Sequence, residues 1–290
     1  YQSPKKPVLV ENILKTGNPF GIFTSRLEGI KKERISEKIV DSEICSLDPE
    51  RSRNLLHLGC MLSFRLQEMR EDVLEILDIL GADYSILKDE HCCGYFIYNT
   101  GDHESAKKAM EKNVEQFKDF DKIYCACAGC YVFFKKHYPD GHKFEHVIEL
   151  MDQKLDELVR QGKLSRMADK EPSEIVAYHA SCHLTRPFGV VEPPRRVLNL
   201  LGHQIEEFPH SRKEGLCCGA DGGMRMINPE LALKIGSQRL AEAKNTSATE
   251  LLTLCPFCIF NFEEAREEGS GLKVGSVYEK ICSFLKETLE

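Results

Sequence analysis

The chain has 290 residues, 42% hydrophobic and 29% charged, enough for one large core or two modest ones. Its formal net charge of −7 argues against nucleic-acid binding, which needs a basic face, and no apolar run reaches the length that crosses a bilayer. Abundant thiols without a secretory segment point to a reducing, cytoplasmic compartment, peripheral to a membrane only through a partner.

Residues 1–50 open on Tyr1 rather than Met, as a fragment or processed form would, and pass through Gly17-Asn18-Pro19-Phe20-Gly21 to the charged run Lys31-Lys32-Glu33-Arg34. They are expected to form an extended arm that wraps the body or docks a partner. A first domain follows over residues 51–143. Leu55-Leu56-His57-Leu58 reads as a strand running into Gly59-Cys60, and Val73, Leu74, Leu77 and Leu80 recur at helical spacing. Tyr84 to Leu87 is a second strand leading toward Cys92, and Asp102 opens a helix carrying Ala106, Ala109, Met110, Val114 and Phe117. Lys122-Ile123-Tyr124 then enters Cys125. Phe144 to Leu164 carries an apolar stripe, so 144–170 reads as a connecting helix.

The second domain, 171–268, repeats this order. Ile175 to Tyr178 runs into His179 and Cys182, and a helix follows Pro193-Pro194. Gln204 to Phe208 is the next strand, Asn228 caps a helix with Pro229 at its first position, and Leu251 to Leu254 enters Cys255. A closing helix, Val277 to Leu289, occupies 269–290. Strands alternating with helices predict an α/β protein of two tandem Rossmann-like βαβ domains, with parallel sheets related by internal repeat. Ligands in such sheets gather beyond the carboxyl ends of the strands, where the cysteines fall.

Ten of the thirteen cysteines form two copies of one pattern. The first is Cys60, Cys92-Cys93-Gly94 and Cys127-x-x-Cys130; the second is Cys182, Cys217-Cys218-Gly219 and Cys255-x-x-Cys258. Each copy offers five thiolates, one more than a cubane cluster takes, and soft thiolates suit iron and sulfide. Disulfides fit poorly with an odd cysteine count in a large chain. Zinc in one half remains the alternative, with one cysteine per copy unused. Clusters of this kind would call for anaerobic conditions. The glycines Gly94 and Gly219 suit close backbone approach to a cofactor, or simply the end of a strand.

These residues resemble the CCG-domain (cysteine-rich domain) family, specifically the catalytic subunit of heterodisulfide reductase, over roughly residues 50 to 265. The resemblance implies two non-cubane [4Fe-4S] clusters, one per motif, each held by all five cysteines of its copy and facing the other across a substrate cleft. It implies reductive cleavage of the coenzyme M–coenzyme B disulfide of methanogenesis, or of a related disulfide, with each thiolate transiently binding an iron. The segment Gly17 to Gly21 resembles the stretch after a ferredoxin module in fused members. That module's cysteine run is missing here, so the expected partners are a ferredoxin-like iron–sulfur subunit or N-terminal module, and a flavin-containing bifurcating subunit or membrane cytochrome. The competing readings are an electron-relay subunit of a dehydrogenase or sulfur-metabolism complex, and an assembly subunit with zinc in one site.

Outside the motifs, His179 and His183 flank Cys182 and are candidates to donate protons to product thiolates, against the simpler reading of satisfied strand-end histidines. Arg186, Arg195, Arg196 and Arg225 are candidates for an anionic substrate, or ordinary solvated cations. Cys125 is expected to be buried rather than a ligand, and Cys45 and Cys282 to be structural.

Overall fold

A computed structural model describes residues 7–30, 37–41, 51–166, 174–267, 269 and 271–289. Cys45 and the charged run after Ile30 lie outside them. Contacts divide the chain into two units: Tyr1–Arg70 with Asp83–His146, and Glu71–Ala82 with Val147–Glu290.

Unit 1 is built on strands β1 (Ile39–Val40), β2 (Asn54–His57), β3 (Ile86–Leu87), β4 (Lys122–Cys125) and β5 (Lys143–His146). All pair in parallel, in the orders β1-β3 and β2-β4-β5, and a bridge between Leu55 and Ser85 joins the two ladders. Unit 2 carries β6 (Glu174–His179), β7 (His203–Glu206), β8 (Glu250–Thr253) and β9 (Lys273–Ser276), also parallel, in the order β7-β6-β8-β9. With β3 read beside β2, the spatial order β3-β2-β4-β5 of unit 1 is the order of unit 2. The predicted repeat is therefore one of topology, and the chain is an α/β protein with parallel sheets.

Propensity and capping explain the helices that carry the site. Asp102 accepts from the Ser105 amide to start α5 (His103–Phe117), and Asn228 accepts from the Leu231 amide, with Pro229 behind it, to start α11 (Pro229–Lys244); both satisfy donors that a helix start leaves open. The strands β2 and β8 place apolar residues on both faces, as buried parallel strands must: Leu55, Leu56, Leu251 and Leu252 are fully buried.

Three expectations are corrected. The connecting helix does not begin at Phe144; Lys143–His146 form β5, and the helix is Val147–Arg160. Strand β9 likewise precedes the closing helix Val277–Leu289, so each sheet has a fourth strand that four half-polar residues did not announce. The arm is not merely extended. Val8–Thr16 form a helix, α1, whose Val10 and Ile13 are buried in one core cluster with Cys60, Cys92 and Ile97. Among the described residues no helix is long and apolar enough to cross a membrane.

Two strand ends in unit 1 bury histidines without exposure, His57 and His146. Burial pushes His57 down to about 4 and His146 down to about 3. An unfolded histidine titrates near 6.5, so as pH falls the unfolded chain takes up a proton that the folded chain refuses. Stability present above about pH 6.5 is lost below it, by about 1.4 kcal/mol per ring between about pH 7.5 and 5.5. Urea unfolding of His146→Phe should show that much less loss over this window than the parent chain.

Candidate metal centres

In unit 1 the lone cysteine hangs from a pinned turn. Glu90 accepts from the amides of Leu58 (2.7 Å) and Gly59 (3.0 Å), fixing the turn after β2, and Cys60 opens helix α2 (Cys60–Phe64). Gly59 sits at φ +82, where a Cβ would stand 3.2 Å from Cys130 Sγ; the backbone approaches the thiols too closely for a side chain. The Cys-Cys pair is held by its own carbonyls. Cys92 O accepts from Asn113 Nδ2 (2.9 Å), Cys93 O accepts from the Tyr138 hydroxyl (2.8 Å), and Asn113 also meets that hydroxyl. Gly94, at φ +93, turns the chain into α4 (Tyr95–Asn99). Cys127 caps α6 (Ala128–His137), and Cys130 lies in its first turn.

The thiols meet in a continuous series: Cys60 contacts Cys92, Cys92 contacts Cys93, Cys93 contacts Cys130, and Cys130 contacts Cys127. All five are buried.

Unit 2 repeats the series. Cys182 Sγ lies 4.0 Å from Cys217 Sγ, Cys217 contacts Cys218, Cys218 contacts Cys258, and Cys258 contacts Cys255. Cys182 begins α8 (Cys182–Phe188), and Cys255 caps α12 (Pro256–Ala265). Asn261 Nδ2 donates to Cys218 O (2.8 Å) and Ala232 O (2.9 Å). One asparagine thus supports the pair here, where Asn113 and Tyr138 do so in unit 1. Gly219 again has φ +93, and its amide donates to Cys217 Sγ at 3.3 Å. Unlike their counterparts in unit 1, Cys182 and Cys217 are only half-buried.

Replacing Asn261 by alanine leaves two carbonyls, those of Cys218 and Ala232, without this donor. A buried acceptor left unsatisfied costs about 1–3 kcal/mol, so a loss of about 3 kcal/mol in unfolding free energy is expected from denaturant titration, with iron lost from unit 2.

The electrostatics suit metal. Contact with Cys130 and Cys92 pulls Cys93 down to about 6, and contact with Cys182 and Cys218 drives Cys217 far below the ordinary thiol range. Contact with Cys258 and the amides of Cys258 and Phe257 lower Cys255. Burial pushes Cys60 up, and contact with Cys217 together with burial raises Cys182. Five adjacent sulfurs cannot all ionise in a dry site unless a cation neutralises them. The donor set is all soft sulfur, which hard cations avoid, and it exceeds the four ligands of structural zinc. It fits iron and sulfide.

His179 ends β6 without exposure, and burial pushes its ring down to about 3. A ring nitrogen lies within 4.8 Å of the sulfurs of Cys218 and Cys258. Arg239 Nε donates to its Nδ1 (3.4 Å), which leaves the hydrogen on Nε2, a buried atom with no acceptor among the described residues. An N–H of this kind would suit a sulfide held by these thiols. Its ring packs edge-on to Phe262, as His57 packs to Phe134, so the two histidines are equivalent core elements of the repeat. His183 is different: it pairs with Asp221, and both stand within 4.8 Å of Cys182 Sγ.

The four arginines are engaged. Arg186 donates to Gly215 O, Arg195 clasps Glu207 over the Tyr178 ring, Arg196 pairs with Asp152, and Arg225 binds Asn261 and Glu264. Cys125 is buried with its sulfur 3.9 Å from Ile123 O, and Cys282 is buried with its sulfur 3.7 Å from Glu75. Sequence reasoning missed Arg26, Glu90, Asn113, Tyr138, Asp221 and Asn261. It also missed two legible signals, His-x-x-Cys at residues 57–60 and 179–182 and Cys-x-x-Cys-x-x-x-Phe at 127–134 and 255–262.

Comparison with known proteins agrees with this geometry. A family model described as a cysteine-rich domain (CCG) matches residues 54–135 and 176–263. A subunit of the dihydromethanophenazine:CoB–CoM heterodisulfide reductase of Methanosarcina acetivorans is 32% identical over 240 residues, 80% of this chain and 58% of that protein. A subunit of the fumarate reductase (CoM/CoB) of Methanothermobacter marburgensis is 29% identical over 77% of this chain and 44% of its own length. The EtfAB:quinone oxidoreductase of Syntrophomonas wolfei is 31% identical over 95% of this chain and 40% of its own length. The chain spans about half the length of these relatives. The two matched stretches contain the two five-thiol series, and the chain belongs to the CCG cysteine-rich domain family.

Proposed function

We propose that the chain is the disulfide-cleaving part of a multi-subunit iron–sulfur oxidoreductase, with one non-cubane [4Fe-4S] cluster in each unit. Cys60, Cys92, Cys93, Cys127 and Cys130 hold one; Cys182, Cys217, Cys218, Cys255 and Cys258 hold the other. The observation that carries this reading is the unbroken contact series of five sulfurs in each unit. The clusters, when bound, supply electrons one at a time.

Cleaving a disulfide consumes two electrons and two protons and releases two thiols. The chain's own residues serve the protons and the frame. His183, steadied by Asp221 and beside the partly exposed Cys182, is the proton donor to a product thiolate. Gly94 and Gly219 let the backbone close on the cofactor, and Asn113, Tyr138 and Asn261 fix the Cys-Cys pairs. Electrons enter from a ferredoxin-like iron–sulfur subunit or module, fed by a flavin-containing subunit or a membrane cytochrome; a heterodisulfide reductase subunit among the relatives supports the disulfide as substrate.

A relay function without substrate chemistry is the second reading, favoured by the match to a quinone oxidoreductase over 95% of the chain. The two separate in an anaerobic assay with reduced viologen and a panel of disulfides, the coenzyme M–coenzyme B compound included. Viologen oxidation with two thiols released per two electrons supports cleavage. Clusters that reduce and reoxidise while every disulfide survives leave the relay.

A further inference from the structure

The segment before residue 30 puts a fixed positive charge on one metal centre. Arg26 is 5% exposed. Its Nη2 donates to Cys60 Sγ at 3.3 Å and to Gly17 O at 3.0 Å, and its Nη1 donates to Glu90 Oε1 at 3.0 Å. The guanidinium lies 5.2 Å from the Phe64 ring centroid, and the Arg26 carbonyl accepts from Arg70 Nη1. With both ends tied, the cation cannot swing away from the sulfur. Its partner Glu90 is itself occupied with the Leu58 and Gly59 amides of the turn that carries Cys60.

The lone cysteine of unit 2 has different surroundings. Cys182 faces Asp221 and His183 within 4.8 Å. The repeat therefore sets a guanidinium, with Glu90 behind it, against one thiol, and a histidine–carboxylate pair against its counterpart.

Charge and N–H donation to cluster sulfurs set reduction potential, and in a dry site the effect of a nearby charge is strong. Reduction adds negative charge, which a cation stabilises and a carboxylate opposes. We infer that Arg26 is a positioning residue whose guanidinium, fixed against Cys60, raises the reduction potential of the unit 1 centre. This inference rests on the iron–sulfur reading of the thiols.

The test is an EPR-monitored redox titration of the full, anaerobically prepared, iron-loaded protein. Cys218→Ala, which disrupts the unit 2 ligand set, assigns the signals. Arg26→Gln should move the unit 1 midpoint to lower potential and leave the unit 2 midpoint in place; Arg26→Lys, which keeps a charge but not the forked geometry, should fall between. A unit 1 midpoint unmoved by Arg26→Gln, or two midpoints moving together, overturns the inference. Where Arg26→Gln does not retain unit 1 iron, Glu90→Gln decides: removal of the countercharge should raise the unit 1 midpoint, and no rise overturns the proposal. A parent protein with no iron–sulfur signal from unit 1 would instead defeat the reading of the thiols themselves.

Discussion

Replacing Cys93 by alanine should remove about half of the iron expected for the chain, some four of about eight atoms, and leave the rest bound in unit 2. Cys93 is in the middle of its contact series, touching Cys92 on one side and Cys130 on the other, so no neighbour can bridge the gap. Cys218 holds the same position between Cys217 and Cys258, and Cys218→Ala should remove the complementary half. The two losses should add, because the sheets and thiols of each unit are complete within it. Cys125→Ala is the control: its sulfur sits on the strand, near the Ile123 carbonyl, and iron should be unchanged. Iron and sulfide analysis of the variants, each purified without oxygen, checks all three.

The second large effect is Gly219→Ala. The two glycines after the Cys-Cys pairs share φ +93, a conformation that costs an L residue about 1–2 kcal/mol. Their surroundings differ. A Cβ on Gly94 would meet Phe133, Ala106 and Ala109 at 3.4–3.6 Å, ordinary contact distances. On Gly219 it would stand 2.5 Å from the Ala232 carbonyl oxygen and 2.9 Å from Ile235 Cβ, neither of which can rotate aside. Gly94→Ala should therefore cost about 1–2 kcal/mol, and Gly219→Ala about 3 kcal/mol or more, as overpacking is added to backbone strain. Displacing α11 against this loop would also move the Cys217-Cys218 pair, so Gly219→Ala should lose unit 2 iron while Gly94→Ala keeps unit 1 iron. Denaturant unfolding and metal analysis of the two variants side by side give the comparison.

The ten motif cysteines and the paired βαβ halves were legible because their signals are long-period and doubled: spacing alone brings Cys60, Cys92 and Cys127 to strand ends, and the second copy repeats it. What was not legible is short or distant. Strands β5 and β9 have four residues each, and Phe144 fits a helical stripe as readily as a strand. Arg26 meets Cys60 across 34 positions and Asn261 meets Cys218 across 43; no local pattern connects residues so far apart. The support of the Cys-Cys pair escaped for a further reason, since an asparagine on α5 with a tyrosine serves unit 1 and an asparagine on α12 serves unit 2. The repeat conserves the job and not the position. His183 could be nominated from its place beside Cys182, but its partner Asp221 appears only when the loop after Gly219 folds back.

The most direct measurement is iron, acid-labile sulfide and zinc content of the anaerobically purified chain, with EPR recorded before and after adding candidate thiols. About eight iron and about eight sulfide per chain, little zinc, and a paramagnetic signal that changes with thiol are expected. Zinc in place of iron in either unit, or iron centres indifferent to every thiol, would contradict paired substrate-binding clusters.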